Sequence, residues 1–318
     1  MSVMAPALPL DALRQTFGAR LREDESLARY TSSRIGGPAD ALLELRSADE
    51  LAEAVGKLWE LDTPFVILGG GSNVLVSDAG VRELVILNHA RRLRFESGTQ
   101  PPSVWAESGT NLGVIARQAA GKGLGGLEWA AGIPGTLGGA VFGNAGAHGG
   151  DLAGNLLVAD ILHRNQGRRS LAAADLGFSY RSSRLKQNPG EDVVLAASMK
   201  LEHKTKAEIR KEMDAFVAYR RLTQPPGASM GSMFKNPPDD HAGRLIEAAG
   251  LKGKRVGNAQ ISPLHANFFL NLGGARATDV LALIDEARRA VKDHFGVDLE
   301  LEVELLGEWP ENKGTKAI

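Results

Sequence analysis

Apolar residues recur along this chain with two different periods, and the places where the period changes mark out its elements. Ser47-Ala48-Asp49-Glu50 has the spacing of a capping box, and Leu51, Ala54, Val55 and Leu58 follow on one face, so a helix opens here and ends near Thr63-Pro64. The next stretch, PFVILGGGSNVLVSDAG, predicts strand, glycine turn, strand. Asn155–His163 and Asp192–Leu201 are apolar runs of strand length. KAEIRKEMDAFVAYRRL puts Ile209, Met213, Phe216 and Val217 on one helical face. Beyond it the pattern predicts a helix near Asp240–Ala249 with Gly250 at C′, a helix over Thr278–Phe295 and a closing strand. In that strand Val297, Leu299, Leu301, Val303 and Leu305 alternate with Asp298, Glu300, Glu302 and Glu304.

The glycines bear on chemistry. A Rossmann fingerprint or Walker loop needs its glycines between a strand and a helix, so that phosphate meets a helix N-terminus. Gly69-Gly70-Gly71 lies between two strand patterns, so any anion there is bound by a nest of backbone N–H groups. A second run, Gly125–Gly150, holds 10 glycines in 26 residues, yet Trp129, Ile133, Leu137, Val141 and Phe142 give it the apolar anchors that a linker lacks. No Lys or Arg occurs from Gly123 to His163, so main-chain amides rather than side-chain charge would hold a ligand anion. Two such loops suit the pyrophosphate of a dinucleotide, or serve as tight structural turns.

Composition narrows the classes. The 318 residues, 43% hydrophobic and 24% charged, suffice for two or three domains with real cores. Thirty-seven basic against 38 acidic residues leave no field for nucleic acid or an anionic membrane, and Arg91-Arg92, Arg168-Arg169 and Arg220-Arg221 read as solvated faces. The absence of cysteine excludes disulfides, thiolate zinc sites and a cysteine nucleophile. The N-terminus has no basic region and its apolar run is broken by prolines and Asp11, so neither signal peptide nor anchor is expected, and the location expected is the cytoplasm.

Candidate chemistry centres on GASMGSMFKNPP, Gly227–Pro238. Ser229 matches the Gly-x-Ser-x-Gly pattern of hydrolases, but a nucleophile elbow needs a strand before the serine and a helix after it, and prolines flank this stretch on both sides. None of the seven histidines has metal-ligand spacing, and His148 and His265 read as polar contacts, with no metal expected. The four carboxylates of the closing strand form a solvated face, or one of them turns into a cleft. Arg181, in the polar turn Phe178–Ser183, clamps a carboxylate or is a surface arginine.

Taken in order, RIGGPAD (Arg34–Asp40), LGGGSNVLVSD, GLEWAAGIPGTLGGAVFGNAGAHGG, FSYRSS, GSMFKNP, LIEAAGLKG and LELEVELLG resemble the UDP-N-acetylenolpyruvoylglucosamine reductases, over about Thr31 to Gly307. The resemblance implies an α+β protein: an FAD-binding domain of the vanillyl-alcohol-oxidase type in two subdomains, then a C-terminal α+β substrate-binding domain. It implies domains at 1–29 (an N-terminal helical segment), 30–204 (FAD) and 205–310 (substrate), with a frayed tail at 311–318. It also implies NADPH-dependent reduction of UDP-N-acetylglucosamine enolpyruvate to UDP-N-acetylmuramate through non-covalent FAD, in peptidoglycan precursor synthesis and so in cell-wall growth, shape and division. NADPH and the UDP-sugar would share one cleft, in a monomer.

Residue by residue, Ser232 matches the family's proton donor, Arg181 its catalytic arginine and Glu302 its catalytic glutamate. Gly69, Gly70, Gly71, Ser72 and Asn73 in one loop, with Gly132, Ile133, Pro134, Gly135, Gly138, Gly139, Asn144, Ala145 and Gly146 in the other, fall where the family holds FAD. Lys235, Asn236 and His265 fall where it contacts substrate. Two departures stand out: Tyr30-Thr31-Ser32-Ser33 replaces the usual Asn-Thr before Arg-Ile-Gly-Gly, and only SSRLKQNPGED separates Arg181 from the strand at Val193, as in the second type lacking a tyrosine loop. The rival expectation is an FAD-dependent sugar or alcohol oxidase or dehydrogenase on the same flavin domain. The histidine or cysteine by which many such oxidases attach flavin is missing from the LGGGSNVLVSD loop, and the chain has no cysteine.

Overall fold

A computed structural model of the chain describes residues 8–309, so the expected tail at 311–318 lies outside the described residues. The fold is built of two compact units. One takes the chain up to Leu43, Gly71–Val85 and the chain from Arg221; the other takes Glu44–Gly70 and Ile86–Arg220. These units do not follow the linear domains expected from the sequence. The helix Lys206–Thr223 buries Ile209 and Met213 in the core of Val104, Ile115, Leu137 and Ile161, which carries the boundary to Arg220 rather than 204.

The second unit is organised by a five-stranded antiparallel sheet. Its order is Gly167–Ala172, Leu156–His163, Asp192–Lys200, Ser103–Glu107, Leu93–Glu96. The helix Ala48–Glu60 starts where the capping pattern predicts, with Ser47 Oγ accepting from Glu50 N at 3.1 Å. The reciprocal bond closes one residue early, from Arg46 N to Glu50 Oε2 at 2.7 Å. Its buried face is Ala48, Leu51, Ala52, Ala54, Val55 and Leu58.

Glu107, 1% exposed at the end of its strand, ties three parts of this unit. Its Oε1 accepts from Ala48 N at 3.0 Å and from Arg92 Nε at 3.1 Å, and its Oε2 from Arg92 N at 2.8 Å. A buried carboxylate is tolerated because each oxygen is bonded and one partner is cationic. The residues that follow carry this order toward the glycine run: Ser108 O accepts from Gly138 N at 2.7 Å and Thr110 O from Leu137 N at 2.8 Å.

In the first unit the expected N-terminal helical segment is only partly helical. Leu10–Phe17 forms a helix, but Leu21–Ser26 is a strand paired antiparallel with Pro38–Leu45, from Leu21↔Leu43 to Ser26↔Pro38. Nothing in LREDES alternates; its main chain is recruited by the apolar partner strand, the usual way tertiary context overrides a weak local signal. A four-stranded antiparallel sheet, Ala228–Ser232, Phe268–Asn271, Ala259–Ile261, Arg255–Val256, packs with the helices Ala242–Ala248 and Ala277–Phe295 around Phe269, Ile246 and Ile284. The longer helix is capped from far away, Asp78 accepting from Ala277 N at 2.8 Å and Thr278 N at 2.9 Å.

The closing segment also departs from expectation. Its alternation shows in burial, with Leu299, Val303 and Leu305 inside, but only Glu304–Leu306 forms a ladder, parallel to Val74–Val76. Upstream its backbone bonds go one at a time to other loops, so no continuous strand develops there. The glycine turn likewise is no hairpin: Phe65–Leu68 and Val74–Val76 belong to different sheets.

Replacing Glu107 by Ala leaves the amides of Ala48 and Arg92 without their acceptor. The expected loss is about 2–4 kcal/mol of unfolding free energy, read from chemical denaturation.

Candidate active site

The residues expected at the site fall in both units. In the second unit the two glycine segments lie in close contact. A Cβ on Gly69 would stand 2.3 Å from Thr136 Oγ1, and one on Gly70 would stand 3.2 Å from Gly135 Cα. A larger residue at Gly69 would collide with the Thr136 side chain, so this loop presents backbone rather than a side chain there. Beside them Thr110 keeps a buried hydroxyl with no hydrogen-bond partner. A diphosphate ester bound through backbone amides suits this cradle, and the orphan hydroxyl offers it a further donor.

The rest of the run is organised around Asn144, which adopts a left-handed conformation after the helix Leu137–Gly143 and is 4% exposed. Its Nδ2 donates to Ser179 O at 3.1 Å and to Asp151 Oδ2 at 3.3 Å, and its Oδ1 accepts from Ala153 N at 3.0 Å. The turn Ser179–Ser182 is thereby docked on the glycine run. Arg181, with φ +54°, donates through Nη2 to Gly146 O at 2.9 Å and lies 5.2 Å over the Tyr180 ring. Arg181, Asn144 and Gly146 thus form one cluster, Asn144 serving as its scaffold.

In the first unit three segments converge on Ser232. The strand Ala228–Ser232 pairs Ser229 with Leu270 and Ser232 with Phe268, three steps against two, so it carries one extra residue. Gly231 at φ +79° accommodates this bulge, which re-aims Ser232 away from the buried Met230 and Met233 that flank it. The Ser232 hydroxyl is half-exposed and makes no hydrogen bond among the described residues. Ser229 sits mid-strand, its carbonyl accepting from Ser32 Oγ at 2.8 Å, with no helix leaving it.

Asn267 fixes the segment after Ser232. It is 3% exposed; its O accepts from Met233 N at 2.8 Å, its Oδ1 from Phe234 N at 2.9 Å, and its Nδ2 donates to Phe234 O at 2.8 Å. Sequence reading passed over it for the neighbouring His265, although a lone amide ahead of the apolar FFL was a usable signal. Glu302 joins from the other side, Glu302 N donating to Met233 O at 2.9 Å and Asn73 Nδ2 to Glu302 O at 3.0 Å. Ser72-Asn73, Ser232 and Glu302 therefore share one small cluster.

The turn Tyr30–Ser33, which departs from the family pattern, is tied down by hydroxyls. Thr31 Oγ1 donates to Ile35 O at 2.8 Å, and Ser32 Oγ reaches Gly71 O at 3.1 Å as well as Ser229 O. Of the expected substrate residues, Lys235 is ion-paired with Glu300, and Asn236 Oδ1 accepts from Ala242 N at 3.1 Å, at the start of a helix. His265 is half-buried against Phe268, and burial pushes its pKa below the ordinary 6.5.

Two readings from sequence change here. His148 makes no polar contact through Nε2, which is buried without a partner; its ring stacks on Phe216 at 4.3 Å. Arg220 is no solvated face: it is half-buried, and burial lowers its pKa. The other five arginines of the three pairs are exposed as expected.

Residues 222–306 match the family described as UDP-N-acetylenolpyruvoylglucosamine reductase, C-terminal domain, and residues 39–164 match the FAD binding domain family. The UDP-N-acetylenolpyruvoylglucosamine reductase of Rubrobacter xylanophilus is 48% identical over 285 residues, 90% of this chain and 95% of that one. Its counterpart from Bacillus subtilis is 40% identical over 300 residues, 94% and 98% of the two chains. The crystal structure of the UDP-N-acetylenolpyruvylglucosamine reductase from Thermus caldophilus superposes with a TM-score of 0.76 at 40% identity, covering 90% of this chain and 99% of that one.

Asn267→Ala removes two buried side-chain bonds, and a loss of about 2–3 kcal/mol in unfolding free energy is expected. The histidines set a pH dependence. His148 and His265 are both held below 6.5 by burial, with the charge of Arg220 adding to the effect at His148. The unfolded chain therefore binds more protons between the folded pKa values and 6.5, so stability is full above 6.5 and drains as pH falls through the folded values. His148→Phe keeps the ring stack and removes one titration, so its melting temperature should fall less steeply than the wild type's as pH is lowered from about 7.5 to about 5.5.

Proposed function

The chain belongs to the UDP-N-acetylenolpyruvoylglucosamine reductase family, and on that premise we propose that it reduces the enolpyruvyl ether of UDP-N-acetylglucosamine to UDP-N-acetylmuramate with FAD and NADPH. When bound, FAD relays hydride from NADPH to the enolpyruvyl double bond. The chain's own residues bind, orient and protonate. The observation that carries this reading is Ser232, whose free hydroxyl is aimed by a bulge and clamped through its neighbour by Asn267 and Glu302.

Reduction at C3 leaves negative charge on C2 and, by delocalisation, on the adjacent carboxylate. Arg181 pairs with those carboxylate oxygens and stabilises the charge as it develops. The Ser232 hydroxyl gives its proton to C2. A hydroxyl is a weak acid, but an enolate carbon is a strong base, so position matters more than acidity. Glu302 orients the serine and supports its reprotonation from solvent. The main chain of Gly69–Asn73 and of Gly132–Gly146 holds the FAD diphosphate.

Lys235, Asn236 and His265 contact the substrate, Lys235 by releasing Glu300 and Asn236 through the amide group not engaged with Ala242. NADPH and the UDP-sugar take turns at the flavin of a monomeric, cytoplasmic enzyme. No helix among the described residues is long and apolar enough to cross a membrane.

The half-reactions test the assignment. Ser232→Ala should retain bleaching of the flavin by NADPH while reoxidation by UDP-N-acetylglucosamine enolpyruvate slows by about 10²–10⁴-fold. Equal loss of both halves removes Ser232 from the donor role. Rapid reoxidation of the wild type by oxygen but not by the enolpyruvate sinks the reductase reading in favour of an oxidase.

A further inference from the structure

The second glycine-rich run has no cation of its own between Gly123 and His163, yet the fold delivers one to it. Gly132, exposed at φ +76°, lies against the stem of Arg220: a Cβ there would meet Arg220 Cδ at 3.4 Å, Nε at 3.5 Å and Val217 Cγ2 at 3.7 Å. The helix Lys206–Thr223 is held in this register from a second point. The His148 ring stacks on Phe216, one helical turn before Arg220, at 4.3 Å and 10°, and meets Tyr219 edge-on at 5.8 Å.

Arg220 takes part in no hydrogen bond or ion pair with a described residue. Taking water from part of a guanidinium is unfavourable, and an anion that replaces the lost water offsets the cost. Burial lowers the Arg220 pKa with no acid opposing it. The neighbour that feels its charge, His148, is itself kept neutral at pH 7, so it supplies neither a counter-ion nor a second cation.

We infer that Arg220 is a binding residue for a phosphate-class anion lying over the bare backbone of Gly132. This rests on the reading of Gly132–Gly146 as part of a dinucleotide cradle. Three esters of the proposed reaction carry that chemistry: the diphosphate of FAD, the diphosphate of the UDP-sugar and the phosphates of NADPH. A guanidinium fork suits any of them, since it bonds two phosphate oxygens at once while its stem packs on glycine.

The test uses the full chain as wild type, Arg220→Gln and Arg220→Lys. Dissociation constants for FAD and riboflavin are read on the stripped protein from flavin fluorescence. Those for UDP and NADP⁺ are read on the flavin-loaded protein from its visible absorbance, and inorganic pyrophosphate is read by its protection against thermal unfolding. Arg220→Gln should weaken pyrophosphate and at least one phosphate ester by about 10–100-fold and leave riboflavin unchanged, with Arg220→Lys in between. The arm that falls identifies the source: FAD, UDP or NADP⁺. The inference is overturned if every phosphate ligand binds Arg220→Gln within about twofold of wild type, or if riboflavin weakens as much as FAD. If the glutamine variant does not fold, equal binding of all phosphate ligands by wild type and the lysine variant overturns it instead, because lysine lacks the fork. A wild type that holds no flavin refutes the reading of the cradle, and the pyrophosphate arm still decides for or against Arg220.

Discussion

Close approach of one loop to another, possible only where glycine carries no side chain, is the constraint from which the rest of this molecule follows. Gly69 and Gly70 lie against Thr136 and Gly135 so closely that a Cβ on Gly69 would fall within 2.3 Å of Thr136 Oγ1. Gly71 is equally confined, its Cβ position 2.0 Å from Tyr30 O. Gly69 and Gly71 are thus required by packing before any ligand is considered, and Gly70 between them is tightly confined. The conformational entropy they lose is offset elsewhere in their units, by the bonds of Ser108 and Thr110 to Gly138 and Leu137 and by the hydroxyl bonds of Thr31 and Ser32. What this leaves is backbone amide surface of fixed shape, which a diphosphate can use without any lysine or arginine in the loop itself.

The same economy governs the serine strand. The Ser232 hydroxyl makes no hydrogen bond among the described residues, so its position is set by the strand pairing of Ser232 with Phe268 and by Met233 and Phe234, which are held by Asn267 and by the amide of Glu302. Glu302 in turn is fixed through its main chain by Asn73. A hydroxyl that must meet a particular carbon benefits from this arrangement. Its neighbours are rigid and buried while its own oxygen stays unengaged, ready to donate.

Local patterns were readable in the sequence where the physics is local. The capping box at Ser47, the buried face of Ala48–Glu60, the existence of the helix Ala277–Phe295 and the glycine C′ at Gly250 all depend on residues within a few positions of each other. Interactions between distant residues were not readable. Asp78 caps a helix 199 residues away, Asn267 clamps Phe234 33 residues away, and LREDES becomes a strand because Pro38–Leu45 offers it a partner. The acidic face of the closing segment shows both sides of this. Alternation set which residues are buried, but the split between exposed Asp298 and Glu300 and half-buried Glu302 and Glu304 follows from the loops that the backbone meets.

Arg220 shows why composition alone misjudges charge in such a fold. An arginine pair at the end of an amphipathic helix is ordinarily solvated, and Arg221 is. Arg220 differs because Phe216, on the same helical face, is stacked on His148 and the Arg220 stem and Val217 lie against Gly132. Burial without a carboxylate leaves a cation whose energy falls when an anion arrives. A loop with no charge in its own sequence can therefore still present one, and the charge comes from the element packed against its bare backbone.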